Sequence, residues 1–198
     1  QIRIADNLVQ MRDEQGKAGA WPAVFTRGDD VEIEGNIVQI VGRIAEFGKN
    51  GFDDAHTARG GIQIGGGSER VVVKDNRISG GIGNGITLGS LLMIDREHPN
   101  GIHIPDLELF DVCAPCEPND NTIPPSNDPQ APQYVSAGDL YDIEIEGNLI
   151  FRHGANGIGV IRFFILSEKS ADFVTVHGLA IERNRILQNL RRDIANIQ

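Results

Sequence analysis

The sequence predicts an all-β chain wound as a parallel β-solenoid. Three observations predict it: a short segment recurs around a fixed Asn, a Gly-Ile strand recurs after that segment, and the patterns of other fold classes are missing between them.

The Asn residues are Asn7, Asn36, Asn76, Asn148 and Asn184. Five residues before them stand Ile2, Val31, Val71, Ile143 and Leu179; three before stand Ile4, Ile33, Val73, Ile145 and Ile181; two after stand Val9, Val38, Ile78, Ile150 and Ile186. Aliphatics in every slot would arise by chance on the order of once in a billion alignments. Residues two apart share a face of a strand, and the side switches across the Asn, so each segment reads as strand, corner, strand. Glu32, Glu34, Lys74, Glu144, Glu146 and Glu182 fall between the inward positions and so belong on a solvated face. Like charges stacked there cost a little, tempered by Lys74 in the intervening coil. Asn suits a corner because it tolerates left-handed backbone and its amide bonds neighbouring backbone groups. In register, such amides can form a ladder.

The second element is Gly61-Ile62-Gln63-Ile64, Gly85-Ile86-Thr87-Leu88, Gly101-Ile102-His103-Ile104 and Gly157-Ile158-Gly159-Val160. Ile86 and Ile158 each follow their Asn at the same spacing, so one turn of the chain reads strand, Asn corner, strand, loop, Gly-Ile strand. No helix-length period separates strands as βαβ units require, and no run of hairpin turns suggests a sandwich. The only helical candidates are Leu91–Glu97 and Leu187–Ile197.

Composition agrees. Apolar residues make up 40 % and charged residues 23 %, as in a globular domain, while 24 glycines and only 6 % aromatics favour an aliphatic core with many tight turns. Eighteen Lys and Arg against 28 Asp and Glu leave a formal charge of −10, which excludes nucleic-acid binding by bulk charge. No apolar run approaches the roughly 18 residues of a membrane helix. Gln1 falls directly into the alternating pattern, so residues 1–198 are expected to form one domain cut from a larger chain, with other domains beside it.

With its Asn corners and Gly-Ile strands, the chain resembles the right-handed parallel β-helix superfamily of pectin-lyase-like proteins, over most of residues 1–88 and 141–190. The resemblance implies a right-handed parallel β-helix of roughly five or six coils. It says little about activity, because that superfamily holds polysaccharide lyases, polygalacturonases, epimerases, phage tailspikes and large surface proteins. It therefore implies an extracellular or particle-associated setting and polysaccharide as ligand, for a non-catalytic scaffold or carbohydrate-binding module. The alternative is a polysaccharide-active lyase, glycoside hydrolase or epimerase.

The longest interval, Asn76 to Asn148, contains an excursion over 89–140 whose centre holds Pro115, Pro118, Pro124, Pro125, Pro129 and Pro132, which excludes regular structure there. It is expected to leave the solenoid and pack across one side, anchored by Val112, Ile123, Tyr134 and Val135, with Ile143 returning to the register of Val71. Such a flap would cover a groove or meet a partner subunit.

Chemistry is expected first in the loop before Ile62, where Asp53, Asp54, His56 and Arg59 cluster. Adjacent carboxylates with a His supply acid and base for glycoside hydrolysis, or hold Ca²⁺ with Arg as the base of a lyase. In polygalacturonases an adjacent Asp pair and a His are catalytic, so the resemblance carries that role to Asp53 and Asp54. The third Asp, Gly-His-Gly and Arg-x-Lys of that pattern are missing, and a solvated polar loop is the plainer reading. His153 occupies the matching loop two repeats on, and the turn between is Gly80-Gly81-Ile82-Gly83. Rungs about 4.8 Å apart would set His56 and His153 roughly 10 Å apart along one edge of a Gly-floored groove. A turn-capping role for His153 competes with this. His98, His103, Cys113 and Cys116 have zinc-ligand chemistry without zinc-site spacing, so a local disulfide or two free thiols is the simpler expectation. The segment 117–128 is oxygen-rich but matches no EF-hand loop. No cofactor is expected, save Ca²⁺ should the chain be polysaccharide-active.

Overall fold

In a computed structural model, the structure describes residues 1–12, 22–41, 60–81, 83–94, 133–154, 156–160 and 174–189. These form strands and turns, with no helix among them.

The segment before each Asn is a strand of one parallel sheet: β1 (Ile2–Ala5), β4 (Val31–Glu34), β7 (Glu69–Lys74), β12 (Leu140–Glu146) and β15 (Val176–Glu182), adjacent in that order. The segment after each Asn is a strand of a second parallel sheet: β2 (Leu8–Arg12), β5 (Ile37–Val41), β8 (Arg77–Ser79), β13 (Leu149–Phe151) and β16 (Arg185–Leu187). The third parallel sheet holds β3 (Pro22–Thr26), β6 (Gly60–Ile64), β9 (Ile86–Leu88) and β14 (Ile158–Val160). The chain thus visits the three sheets in turn and returns to the first one strand further along, an order compatible with a parallel β-solenoid. One such pass is called a rung below. The pairing follows the sequence alignment: Ile4 faces Ile33, Ile33 faces Val73, Val73 faces Ile145 and Ile145 faces Ile181.

Inward aliphatics from all three sheets form one core, including Ile33, Val73, Ile145, Ile78, Ile150, Ile62, Ile86 and Leu88. The recurring glycine before each third-sheet Ile has a packing reason. A Cβ on Gly61 would strike Ile78, one on Gly85 would strike Ile150, and one on Gly157 would strike Ile186. Each glycine therefore leaves room for the aliphatic that stands two after the Asn of the next rung.

The corner Asn side chains form the expected ladder. The Nδ2 groups of Asn7, Asn36, Asn76 and Asn148 donate to Oδ1 of the Asn in the next rung at 2.9–3.0 Å, and their backbone N–H groups donate to the same oxygens. Left-handed backbone, however, falls on the residue before each Asn, namely Asp6, Gly35, Asp75, Gly147 and Arg183, with φ of 53° to 66°. The Asn is thus selected for its amide, and its predecessor makes the bend. Two further left-handed columns flank this one, at Asp30, Arg70, Asp142 and Gly178 six before the Asn, and at Gly80, Arg152 and Gln188 four after it.

The segment Leu91–Ile94, expected to be helical, is instead strand β10, paired antiparallel with β11 (Gln133–Ser136). The start and end of the long excursion thus zip together, and backbone pairing supplied by the distant strand overrides a weak helical pattern. Ile143 does return beside Val71. Leu187, the start of the other helical candidate, ends strand β16. Val112 and Ile123, the Gly101-Ile102-His103-Ile104 copy and the prolines of the excursion lie outside the described residues, as do the side chains of Tyr134 and Val135. Strand β3, which carries no Gly-Ile signature, was not expected.

Candidate functional site

On the first sheet, the outward residues form a ladder of ion pairs. Arg3 donates to Glu34 at 2.8 Å, and Lys74 pairs with Glu32 at 2.7 Å and Glu34 at 3.4 Å. Two glutamates are thus held between a cation on each neighbouring rung, and the Arg3 hydrogen bond keeps the Glu34 carboxyl below the usual carboxylate range. Arg70 forks onto Asp30 and also pairs with Glu69. These charges answer one another and leave little to grip a ligand.

A different arrangement stands where the chain enters the first sheet. Tyr141 and His177 occupy equivalent places on β12 and β15, and parallel pairing stacks their rings at 4.7 Å with 10° between the planes. Tyr141 is 44 % exposed and the His177 side chain 50 %, and Asp139 Oδ2 lies 3.6 Å from His177 Nε2. Asp139 is itself placed by the Thr175 backbone N–H, which donates to its other oxygen. The result is an exposed aromatic shelf with a carboxylate at its rim. Sequence reading missed it because residues 141 and 177 lie outside the aligned slots; seven residues before each Asn was the available signal.

His153 sits elsewhere than expected. Its side chain is fully buried, not on the edge of a groove. The Gly80-Gly81 turn lies beneath it in the register expected, with Gly154 N–H donating to the Gly81 carbonyl, but the imidazole turns inward and sits beside Gly85, where a Cβ would meet its Nε2 at 3.0 Å. The His153 backbone N–H donates to Asn189 Oδ1, while neither ring nitrogen has a hydrogen-bond partner among the described residues. Burial pushes the imidazole down to about 4, against a smaller upward pull from the Ile78 backbone that falls short of hydrogen-bond geometry.

Further buried polar groups knit the passage from the third sheet to the first. Gln63 Nε2 donates to the Gly89 carbonyl, Ser90 Oγ accepts the Gly66 N–H, and Ser68 Oγ accepts the Gly28 N–H while donating to Gly65. Gln63 Oε1 has no partner among the described residues. These residues carry no acid, base or nucleophile suited to catalysis.

Asp53, Asp54, His56 and Arg59 lie outside the described residues, as do His98, His103, Cys113, Cys116 and 117–128. Among the described residues no group of three or more His, Cys, Asp or Glu side chains could hold a metal ion, and no helix is long and apolar enough to cross a membrane. No family model, no curated protein and no solved structure matches the chain.

Proposed function

We propose that the chain is a right-handed parallel β-helix module that acts as a carbohydrate-binding scaffold, of the pectin-lyase-like kind in architecture. The observation that carries the reading is the exposed Tyr141–His177 stack with Asp139 at its rim. Aromatic rings in such a setting offer an apolar body beside a wet polar tip, which suits the mixed faces of a sugar, and the carboxylate accepts from sugar hydroxyls. The stack stands on a rigid sheet and not on a loop, so the shelf is preorganised. A formal charge of −10 favours neutral polysaccharides over polyanionic ones unless Ca²⁺ bridges the like charges.

The test is a binding titration on a panel of neutral and acidic polysaccharides, with and without Ca²⁺. Binding to at least one glycan, weakened about tenfold or more by Tyr141→Ala with the fold intact, is the expected result. Glycan binding indifferent to Tyr141→Ala would remove the shelf, and no binding on the panel would remove the carbohydrate reading. New reducing or unsaturated ends, lost in Asp53→Ala with Asp54→Ala, would establish the enzyme in place of the scaffold.

A further inference from the structure

Tyr141 lies within the stack and not at one of its ends. Strand β12 is paired with β7 on one side and β15 on the other, so the exposure of this ring is lateral. Left-handed backbone at Asp142 interrupts the alternation of the strand, and Tyr141 and Asp142 are both exposed as a result. Asp139 comes to the shelf from the turn before β12, and Glu69 is the partner of Tyr141 in the rung below.

Charge here is not balanced as it is on the glutamate ladder, where Glu32 and Glu34 each have a Lys or Arg. Arg70, below Asp142 in the same column, forks onto Asp30 and pairs with Glu69, with Asp29 at 3.9 Å, so one guanidinium serves three carboxylates. Arg27, two rungs below Asp139, has interactions of its own. Asp142 has no ion pair or hydrogen bond among the described residues, and the basic group beside Asp139 is the His177 imidazole. The Tyr141 ring thus has a carboxylate before it and another after it, and no Lys or Arg of the described residues neutralises either.

An aromatic ring attracts a cation, and a carboxylate accepts strongly from a charged N–H. Carboxylates alone would attract any cation, but the ring beside them also calls for an apolar body next to the charge. A hexose carrying a free amine has both, in its C–H face and its ammonium group. A neutral sugar would leave the surplus charge unanswered, and a uronic acid would add to it.

We propose that the glycan held at the Tyr141 shelf is an amino-sugar polymer with free, protonated amines, the sugar ring lying against Tyr141 and its ammonium donating to Asp139 and Asp142. The assignment rests on the carbohydrate-binding reading and names the class of sugar.

The test titrates the whole chain at low ionic strength with two oligomers of equal length. One is a glucosamine oligomer with its amines protonated; the other is the N-acetylglucosamine oligomer, which has the same backbone and no charge. The free-amine oligomer should bind tighter by about tenfold or more. Asp139→Asn with Asp142→Asn removes both charges, keeps an oxygen acceptor at each place and suits the left-handed backbone at residue 142, and in this variant the two oligomers should bind alike. Equal binding by the unmodified chain would overturn the assignment and leave the carbohydrate reading standing, as would a preference that survives the double substitution. An oligolysine bound as tightly as the free-amine oligomer, and weakened by the same substitutions, would also overturn it, since the shelf would then read charge and not sugar. Failure of both oligomers, with another glycan bound through Tyr141, would remove the amine alone; failure of every glycan would remove the carbohydrate reading with it.

Discussion

Ile145 and Ile181 occupy the same slot of the repeat, three residues before the Asn, and face each other in the first sheet, yet Ile145 is wholly buried and Ile181 is 47 % exposed. The difference lies in what stands on either side. Ile145 has Val73 beneath it and Ile181 above, whereas Ile181 has only Ile145 among the described residues. Asn76 and Asn7 differ in the same way: the first both donates and accepts along the ladder, and the second, among the described residues, only donates. In a stacked fold the contribution of a residue is set less by its identity than by whether both neighbouring rungs are present.

Paired substitutions test that lesson. Ile145→Ala should cost about 2–5 kcal/mol in urea denaturation, the cost of a core cavity, while Ile181→Ala should cost about 1 kcal/mol or less. Equal losses would break the comparison. Replacing Asn76 with Leu should come next, at about 3 kcal/mol, because it orphans the buried Asn36 donors, at roughly 1–3 kcal/mol for each polar group left unpaired. Asn7→Leu should cost far less in this chain, since nothing among the described residues donates to its Oδ1. Gly85→Ala should cost about 1–3 kcal/mol by overpacking, its new Cβ meeting Ile150, the Gly157 carbonyl at 2.8 Å and His153 Nε2 at 3.0 Å.

A smaller effect concerns pH. The His153 imidazole titrates at about 4 in the folded chain against 6.5 when free, so between those values the unfolded chain binds the extra proton. The stability owed to a neutral His153 is therefore fully present above about pH 6.5 and is lost as pH falls toward 4. His153→Leu should flatten that part of the stability profile. An unchanged profile would show that the imidazole is not held neutral. Smallest of all, Glu144→Ala, on the solvated face of β12, should shift stability by no more than about 0.5 kcal/mol.

The repeat was legible because fifteen slots around five Asn residues all carry aliphatics, and in the three middle rungs every one of those slots lies in the buried core. The ladder followed from Asn chemistry, although the bend belongs to the residue before it, where Asp, Gly and Arg share no pattern that points to left-handed backbone. Strand β3 was missed since its column partner of Ile62 is Val24, in a run without the Gly-Ile mark. The site was less legible than the fold. His153 read as a groove residue because a polar residue after a corner ordinarily faces water, whereas the imidazole takes up room beside Gly85, which has no Cβ to fill it. Tyr141 and His177 are separated by 36 residues, and only the parallel register makes them neighbours.

The Asn ladder has one more consequence, for how the chain is allowed to vary. Successive ladder bonds join residues 29, 40, 72 and 36 positions apart. Closing the longest of these intervals costs only about 0.8 kcal/mol more than closing the shortest, since the entropy of loop closure grows with the logarithm of length. Within a rung the left-handed corners recur every five residues, at Arg70, Asp75 and Gly80 for example, and one residue added there would turn an aliphatic outward. The molecule is therefore metrically strict along the strands and nearly indifferent to length where the chain leaves them. New sequence can enter at the excursions without disturbing the count that keeps the stack in register.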